Sequence, residues 1–215
     1  MASLEGVKLK IRKKYIEKTA KIRKKSLKVR DFTIISNNCW GGFIYQSYEI
    51  SYNSPTIGLY FMADDYLKFV ADLPKYLITD LEFVDPESSI YYDQLKNDKV
   101  FGSYPISKLN DIEIIFLHYK SKEEAFEKWT RRCKRINWDK MLVKFNDQNG
   151  CTEEHLNIFE KLPIKNKICF TSKEYKNLNS TIFIESASKQ KSVNASQEPF
   201  GNSKYINLNK LLDSL

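Results

Sequence analysis

Two kinds of apolar segment alternate along most of this chain, and their order is the feature that most restricts its fold. Runs rich in β-branched residues predict strands, and apolar side chains at three- and four-residue spacing predict helices. The order strand, helix, strand, helix, strand predicts a three-layer α/β/α fold with a central mixed, largely parallel sheet. We place strands at residues 32–36, 56–61, 81–84, 89–92, 112–117, 141–145, 167–171 and 181–184, and helices at 43–50, 65–76, after Ser121, at 152–162 and within 205–215.

The most distinct strand and helix follow one another. Residues 112–117 are almost continuously apolar, which is typical of a strand covered on both faces. Ser121 and Glu124 then have the spacing of a capping box, which marks the start of a helix. We expect the strand at 112–117 to lie parallel to those at 32–36, 141–145 and 167–171 in one sheet.

Positive charge is concentrated near the N-terminus. Twelve of the 35 Lys and Arg residues lie between Val7 and Arg30, against the single acid Glu17, in a chain of formal charge +8. Because this segment lacks Gly and Pro, we predict a basic helical arm over residues 1–30. Residues 31–185 would form the α/β domain, and residues 186–215 a polar connector with a short C-terminal helix.

The arm has three interpretations. Anionic lipid attracts polybasic segments by about 1 kcal/mol for each Lys or Arg near the surface, which would hold the protein at the inner face of the plasma membrane through residues 7–30. The arm is otherwise a solvated helix packed loosely on the domain. Nucleic acid is the weakest candidate, because the remaining chain is slightly acidic and has no nucleic-acid-binding motif. Without a membrane span or a signal peptide, the sequence predicts a cytoplasmic protein.

A polar turn with a cysteine follows the first predicted strand. Asn37, Asn38 and Cys39 come directly after it, and Gly41 and Gly42 permit a sharp turn and a close approach to a ligand. If the next helix begins there, its positive end would lower the pKa of the Cys39 thiol. The alternative is a buried cysteine that only fills space in a tight turn.

Polar residues also follow other predicted strands, at the sheet edge where α/β proteins bind ligands. His118 and Tyr119 follow one strand, and Asn146 and Asp147 follow the next. The combination predicts a nucleophilic site in which Cys39 attacks, His118 accepts its proton and Asp147 orients the imidazole. A buried histidine bonded to the backbone and an aspartate that caps a turn are the structural alternatives.

Seven further residues are candidates for substrate binding. Asn37, Asn38 and Gly41 would surround an oxyanion, and Trp40 would stack on a sugar ring or serve only as packing. The whole set is Asn37, Asn38, Trp40, Gly41, Gly42, Tyr119 and Asn146. We predict no metal ligand and no resident cofactor, and leave open an activated acyl or sugar donor.

An acidic pair supports a different enzyme. Asp64 and Asp65 are of the type that holds a divalent ion on the diphosphate of a nucleotide sugar, as in a metal-dependent glycosyltransferase. Two acids at a helix start are also explained by the helix dipole. The chain has no glycine-rich dinucleotide motif and no Walker loop, which disfavours redox and nucleotide-cleaving enzymes.

Residues 35–42, Ile-Ser-Asn-Asn-Cys-Trp-Gly-Gly, carry a resemblance together with residues 52–56 and 65–69. This pattern resembles a family of bacterial proteins found among exopolysaccharide and capsule biosynthesis genes, over about residues 31–185. Further matching positions are His118, Tyr119, Glu124, Ala125, Lys128, Trp129, Arg132, residues 135–137, residues 144–147 and residues 159–163. The resemblance implies a role in surface polysaccharide assembly and leaves the reaction to the residues themselves.

These observations together predict a glycan-modifying transferase of the acyl type, or a hydrolase, that uses a cysteine nucleophile. Its substrate would be a glycan or a nucleotide sugar. The alternatives are a metal-dependent glycosyltransferase and a non-catalytic glycan-binding or scaffold protein of the capsule machinery.

Overall fold

Helices and strands alternate through the structure, a computed structural model that describes residues 4–215. Short 3₁₀ turns at Pro86–Ser88 and Glu185–Ala187 complete the regular elements of this range. In chain order the elements are α1 (Leu4–Ser26), β1 (Thr33–Ser36), α2 (Trp40–Ser47), α3 (Ala63–Ala71), α4 (Leu73–Leu77), β2 (Glu82–Val84), α5 (Tyr92–Leu95), β3 (Ile106–Leu109), β4 (Ile112–Ile115), α6 (Lys122–Cys133), β5 (Met141–Asn146), α7 (Glu153–Lys161), β6 (Lys167–Thr171), β7 (Thr181–Phe183) and α8 (Leu208–Asp213).

A four-stranded parallel sheet lies at the centre, in the order β1, β5, β6, β7. Successive side chains of its strands face opposite sides. Ile35 and Val143 belong to a core that also contains residues of α3, α6 and α7. Ile34 and Leu142 belong to a second core with residues of α2 and α8. The predicted α/β fold, with helices around a mostly parallel sheet, is confirmed.

The strand β4 lies outside this sheet, so the prediction that it runs parallel to the other three is wrong. It pairs antiparallel with β3, which pairs with β2 to form a separate three-stranded sheet. Asn110 has a φ of 60° and forms a two-residue hairpin turn with Asp111, since Leu109 pairs with Ile112. The strand is buried on both faces because Ile112 and Ile114 pack into the core of α3 and α6, while Ile115 on the opposite face packs against Tyr104 and Ile106.

Three local predictions also differ from the structure. Residues 56–61 form no strand, and Tyr60 makes only an isolated bridge with Ile115. Residues 89–92 form no strand, because 89–91 lead into α5 and Tyr92 is its first residue. The helix α2 begins three residues earlier than predicted, which makes Cys39 its N-cap residue.

The two ends of the chain pack on the second core. The predicted N-terminal helix is present as α1, and it buries a stripe of Arg12, Ile16 and Ala20. Leu208 and Leu212 of α8 are fully buried at the other end of the chain. The segments assigned to an arm and a connector therefore share a core with the sheet. No helix within residues 4–215 is long and apolar enough to cross a membrane.

Candidate functional site

Three of the predicted substrate-binding residues instead surround a buried ion pair. Lys144 of β5 forms a salt bridge with Glu198, and both side chains are fully buried. Lys144 Nζ also donates to Asn38 Oδ1 at 2.9 Å. Asn146 Nδ2 donates to Glu198 Oε1 at 2.9 Å, and Asn37 Nδ2 donates to Asn146 Oδ1 at 2.8 Å. Asn37, Asn38 and Asn146 thus satisfy the polar atoms of a closed cluster.

The cluster joins the C-terminal segment to the sheet edge. Asn38 Nδ2 donates to both carboxylate oxygens of Glu198, at 3.1 and 3.3 Å. Burial lowers the pKa of Lys144, and the neighbouring Glu198 carboxylate acts in the opposite direction. Such a pair costs desolvation free energy, which the close hydrogen bonds offset. The sequence patterns gave neither Lys144 nor Glu198 a role in the site, although Lys144 lies in a segment that matches the resembled family.

Trp40 and Gly41 also have packing roles. Trp40 is fully buried, and its indole Nε1 donates to the Pro199 carbonyl at 2.5 Å. It contacts Phe170 edge to face, with ring centroids 5.5 Å apart. A Cβ added at Gly41 would lie 3.3 Å from Ile34 Cγ2, so a larger residue here would require Ile34 to shift where α2 packs on β1. Trp40 therefore packs inside the protein and offers no free face to a sugar.

Asp147 is held by the loops after β6 and β7 rather than by His118. Its carboxylate accepts hydrogen bonds from the Ser172 backbone N and hydroxyl, both at 2.6 Å, and from the Val193 backbone N at 2.7 Å. Within the described part of the chain no hydrogen bond joins Asp147 to His118. The carboxylate orders a loop in this structure, in line with the structural alternative.

Cys39, His118, Tyr119 and Gly42 come together at one pocket of about 410 Å³. Gly58 has a φ of 75°, and a Cβ there would lie 3.3 Å from the Tyr119 ring. The close approach lets the Gly58 carbonyl accept a hydrogen bond from the His118 backbone N at 2.9 Å. On the same segment, the Cys39 thiol donates to the Leu59 carbonyl at 3.9 Å. Two of the three predicted catalytic residues thus share a pocket.

The environment of Cys39 differs from the expected one. Burial and the charge of Glu198 raise the pKa of its thiol to about 12, although Lys144 acts in the opposite direction. The prediction that the helix start lowers this pKa is therefore wrong, because loss of solvation outweighs the dipole of a two-turn helix. The thiol is protonated at neutral pH and needs a base to become a nucleophile.

His118 has the protonation state that such a base requires. Desolvation by the surrounding protein lowers its pKa, so the imidazole is neutral at pH 7. No hydrogen bond joins His118 to the Cys39 thiol among the residues described here. Catalytic hydrogen bonds are often long before substrate binds, so proton transfer would require the two groups to approach in the complex.

Arg132 is a pocket residue that the patterns did not identify as functional. Its Nη1 donates to the Tyr119 hydroxyl at 2.6 Å, and that hydroxyl donates to the Ile57 carbonyl at 2.5 Å. One feature of the sequence could have identified Arg132 as functional. Arg132 lies three positions after Trp129 and seven after Ala125, on the apolar face of α6, where a charged residue is unusual.

The acidic pair proposed for a metal does not converge. Asp64 Oδ1 accepts a hydrogen bond from His155 Nε2 at 2.8 Å, because His155 Nδ1 accepts one from the Thr152 backbone N. Asp65 is buried and accepts a hydrogen bond from the Glu113 backbone N at 2.8 Å. Across residues 4–215, no three His, Cys, Asp or Glu side chains are arranged to hold a metal ion.

Comparison with known proteins gives one relative and one family. An "Uncharacterized protein" of Haemophilus influenzae is 37% identical over 161 residues, which cover 75% of this chain and 71% of the relative. A family model described as "Domain of unknown function (DUF1919)" matches residues 10–213. That match includes most of α1 and the C-terminal segment, both of which lie outside residues 31–185, the range of the resemblance to the capsule-associated family. The chain therefore belongs to the DUF1919 family.

Proposed function

We propose that this protein is a glycan-modifying transferase of the acyl type that acts in bacterial surface polysaccharide assembly. The single observation that carries the proposal is the placement of the Cys39 thiol and the His118 imidazole at one pocket. The polysaccharide context rests on the sequence resemblance of residues 35–42. A volume of about 410 Å³ lies within the range of small-molecule sites.

The proposed reaction has two steps. His118 accepts the thiol proton, Cys39 sulfur attacks the carbonyl of an activated acyl donor, and the leaving group departs with the proton from His118. A glycan hydroxyl then loses its proton to His118 and attacks the thioester carbon. The carbon–sulfur bond breaks, and sulfur recovers the proton from His118. Neither Asp147 nor the buried asparagines take part.

A non-catalytic glycan-binding protein is the second candidate. The observation that favours it is the state of Cys39, whose thiol has a pKa of about 12 and is hydrogen-bonded to the backbone. Such a thiol is poorly reactive unless a base removes its proton. The two candidates differ in whether Cys39 itself is needed.

Complementation of a gene-deleted strain tests the proposal. We expect nuclear magnetic resonance of the purified polysaccharide to show loss of acyl groups in the deleted strain and with Cys39→Ser. Cys133→Ser is the matched control, because Cys133 is half-buried on α6 outside this pocket. An unchanged polysaccharide in the deleted strain contradicts the role. A defect that Cys39→Ser repairs as well as wild type favours the binding protein.

We also propose that the outward face of α1 contacts anionic lipid at the inner face of the plasma membrane. Lys14, Lys18, Lys21 and Lys25 are exposed on one face of α1. Ile11 and Ile22 are 64% and 70% exposed on the same helix, available for insertion among headgroups. This combination of exposed lysines and isoleucines is typical of interfacial helices.

Cosedimentation with vesicles tests the lipid contact. We expect binding to anionic phosphatidylglycerol vesicles that weakens with salt, and at least about tenfold weaker binding by Lys14→Glu/Lys18→Glu, at about 1 kcal/mol per lysine. Lys99→Glu/Lys134→Glu is the charge-matched control, since both lysines are exposed elsewhere. Equal binding by the two variants, or preference for RNA over vesicles, contradicts the proposal.

A further inference from the structure

The pocket of Cys39 and His118 has an unbalanced charge. Its lining includes three basic side chains, Lys13, Lys128 and Arg132, and neither Asp nor Glu. Lys128 is paired with Glu124 at 2.5 Å on the outer turn of α6. Lys13 extends from α1 and is exposed. The field inside the pocket is therefore positive, and the strongest source of it is the most buried of the three.

Arg132 is a buried cation without a carboxylate. Arg132 is only 6% exposed to solvent, and its Nε atom is buried without a hydrogen-bond partner. Nη1 binds Tyr119, while Nη2 makes no hydrogen bond to any residue between 4 and 215. The guanidinium lies over the Tyr52 ring, 5.0 Å from its centroid. Buried charges are normally paired, so a lasting partner for this one is expected from outside the chain.

We infer that Arg132 binds the phosphate of a phosphorylated sugar in this pocket. The inference rests on the proposed function, since it names the substrate class of the same site. A phosphate carries up to two negative charges, which matches Arg132 and Lys13 better than the single charge of a carboxylate, since Lys128 is already paired with Glu124. The N–H groups of Arg132 Nη2 remain to donate charge-assisted hydrogen bonds to phosphate oxygens. Tyr52 and Phe43 line the same pocket and supply flat apolar surface for a sugar ring.

Calorimetric titration of the full chain with glucose 1-phosphate tests this inference. We expect saturable binding that weakens with salt, and about 10- to 100-fold weaker binding by Arg132→Gln, the usual effect of losing charge-assisted hydrogen bonds. Arg131→Gln is the matched control, because Arg131 is the next residue but exposed and paired with Glu127. Binding by this control should equal that of wild type. Glucose without phosphate should bind far more weakly.

Parallel titrations identify the anion and its source. Glucuronate that binds as tightly as glucose 1-phosphate overturns the choice of phosphate. UDP-glucose is compared with glucose 1-phosphate, and preference for either one supports the inference while identifying the source of the phosphate. If Arg132→Gln does not fold, Arg132→Lys keeps the charge but loses the N–H groups of Nη2, and we expect about tenfold weaker binding.

Two outcomes separate this inference from the proposed transferase. Absence of binding by wild type, or equal binding by the Arg132 variants and wild type, overturns the role of Arg132 and leaves the acyl-transfer test unaffected. Normal binding with no acyl defect in cells instead removes the proposed function and keeps the phosphate site.

Discussion

Two buried cations of this protein differ in what surrounds them. Lys144 is sealed from solvent against Glu198 and three asparagines at the edge of the parallel sheet. Arg132 is nearly as buried, yet its nearest hydrogen-bond partners are a tyrosine hydroxyl and a backbone carbonyl. One cation has its counter-charge within the chain, and the other faces a pocket.

The contrast separates a structural role from a binding role. A closed ion pair with every polar atom satisfied holds two segments together, and it has no capacity left for a ligand. A cation without a counter-charge costs free energy in the free protein, and that cost is recovered when an anion binds. The asparagines belong to the first kind of site although their positions after strands favoured the second.

The largest expected effect comes from breaking the buried salt bridge between Lys144 and Glu198. Glu198→Gln leaves a buried Lys144 without its counter-charge, and we expect the free energy of unfolding to fall by about 3–5 kcal/mol. Urea denaturation measures it. Glu185→Gln is the control, because its ion pair with Lys204 is exposed to solvent and its loss should leave stability unchanged. Equal midpoints for the two variants would contradict a structural role for the cluster.

Replacing the whole pair should restore most of that loss. We expect Lys144→Met/Glu198→Leu to unfold within about 2 kcal/mol of wild type, because apolar side chains of similar volume avoid the desolvation cost. A double-mutant cycle with the two single variants gives the coupling free energy. A double variant less stable than Glu198→Gln would mean that the asparagines, and not the ion pair, determine stability there.

Arg132 should behave differently when it is removed. Arg132→Met loses two hydrogen bonds but also an unpaired buried charge, so we expect stability to change by no more than about 1 kcal/mol. Thermal and urea unfolding measure the change. A loss as large as that of Glu198→Gln would show that Arg132 supports the fold, and the contrast between the two cations would fail.

The smallest effect concerns the titration of His118. Its pKa lies below the usual 6.5 in the folded state, so the unfolded chain takes up this proton first as pH falls. His118 therefore reduces stability as pH drops from about 6.5 through its folded pKa, and contributes nothing above that window. Glucose 1-phosphate should raise this pKa, since an anion favours the charged imidazole. The proton chemical shifts of the His118 ring measure its pKa in the free protein and with glucose 1-phosphate. A pKa that the ligand leaves unchanged argues against an anion beside His118.

Periodicity predicted most of the central sheet because the signal is local. Both β5 and β6 contain a run of three apolar residues, and their strands form with nearly the predicted bounds. The apolar pattern in β4 gave the wrong prediction of a parallel strand, because such a pattern indicates burial on both faces and not the direction of strand pairing. The turn at Asn110 was the local signal for an antiparallel hairpin, because asparagine accepts the positive φ that a two-residue turn needs.

The site was predictable only in part for a related reason. The position of Cys39 after a strand placed it correctly at the edge of the sheet, and His118 reaches the same pocket although its strand belongs to another sheet. The pKa of Cys39 depends on how deeply the thiol is buried, which no neighbouring residue in sequence determines. Asp147 was assigned to a triad on the assumption of a single sheet, and its partners, Ser172 and Val193, come from the loops after β6 and β7.

The sequence by itself determined the alternation of strands and helices, the helical form of the basic N-terminal segment and the presence of polar groups at strand ends. These follow from side-chain periodicity, which acts within a few residues. Only the tertiary structure decided which polar groups meet. Lys144 and Glu198 are 54 positions apart, and Arg132 reaches its pocket through packing of α6 against residues 57 and 119. Pairing across such distances depends on the whole fold, because charge and burial balance only when all the segments are packed.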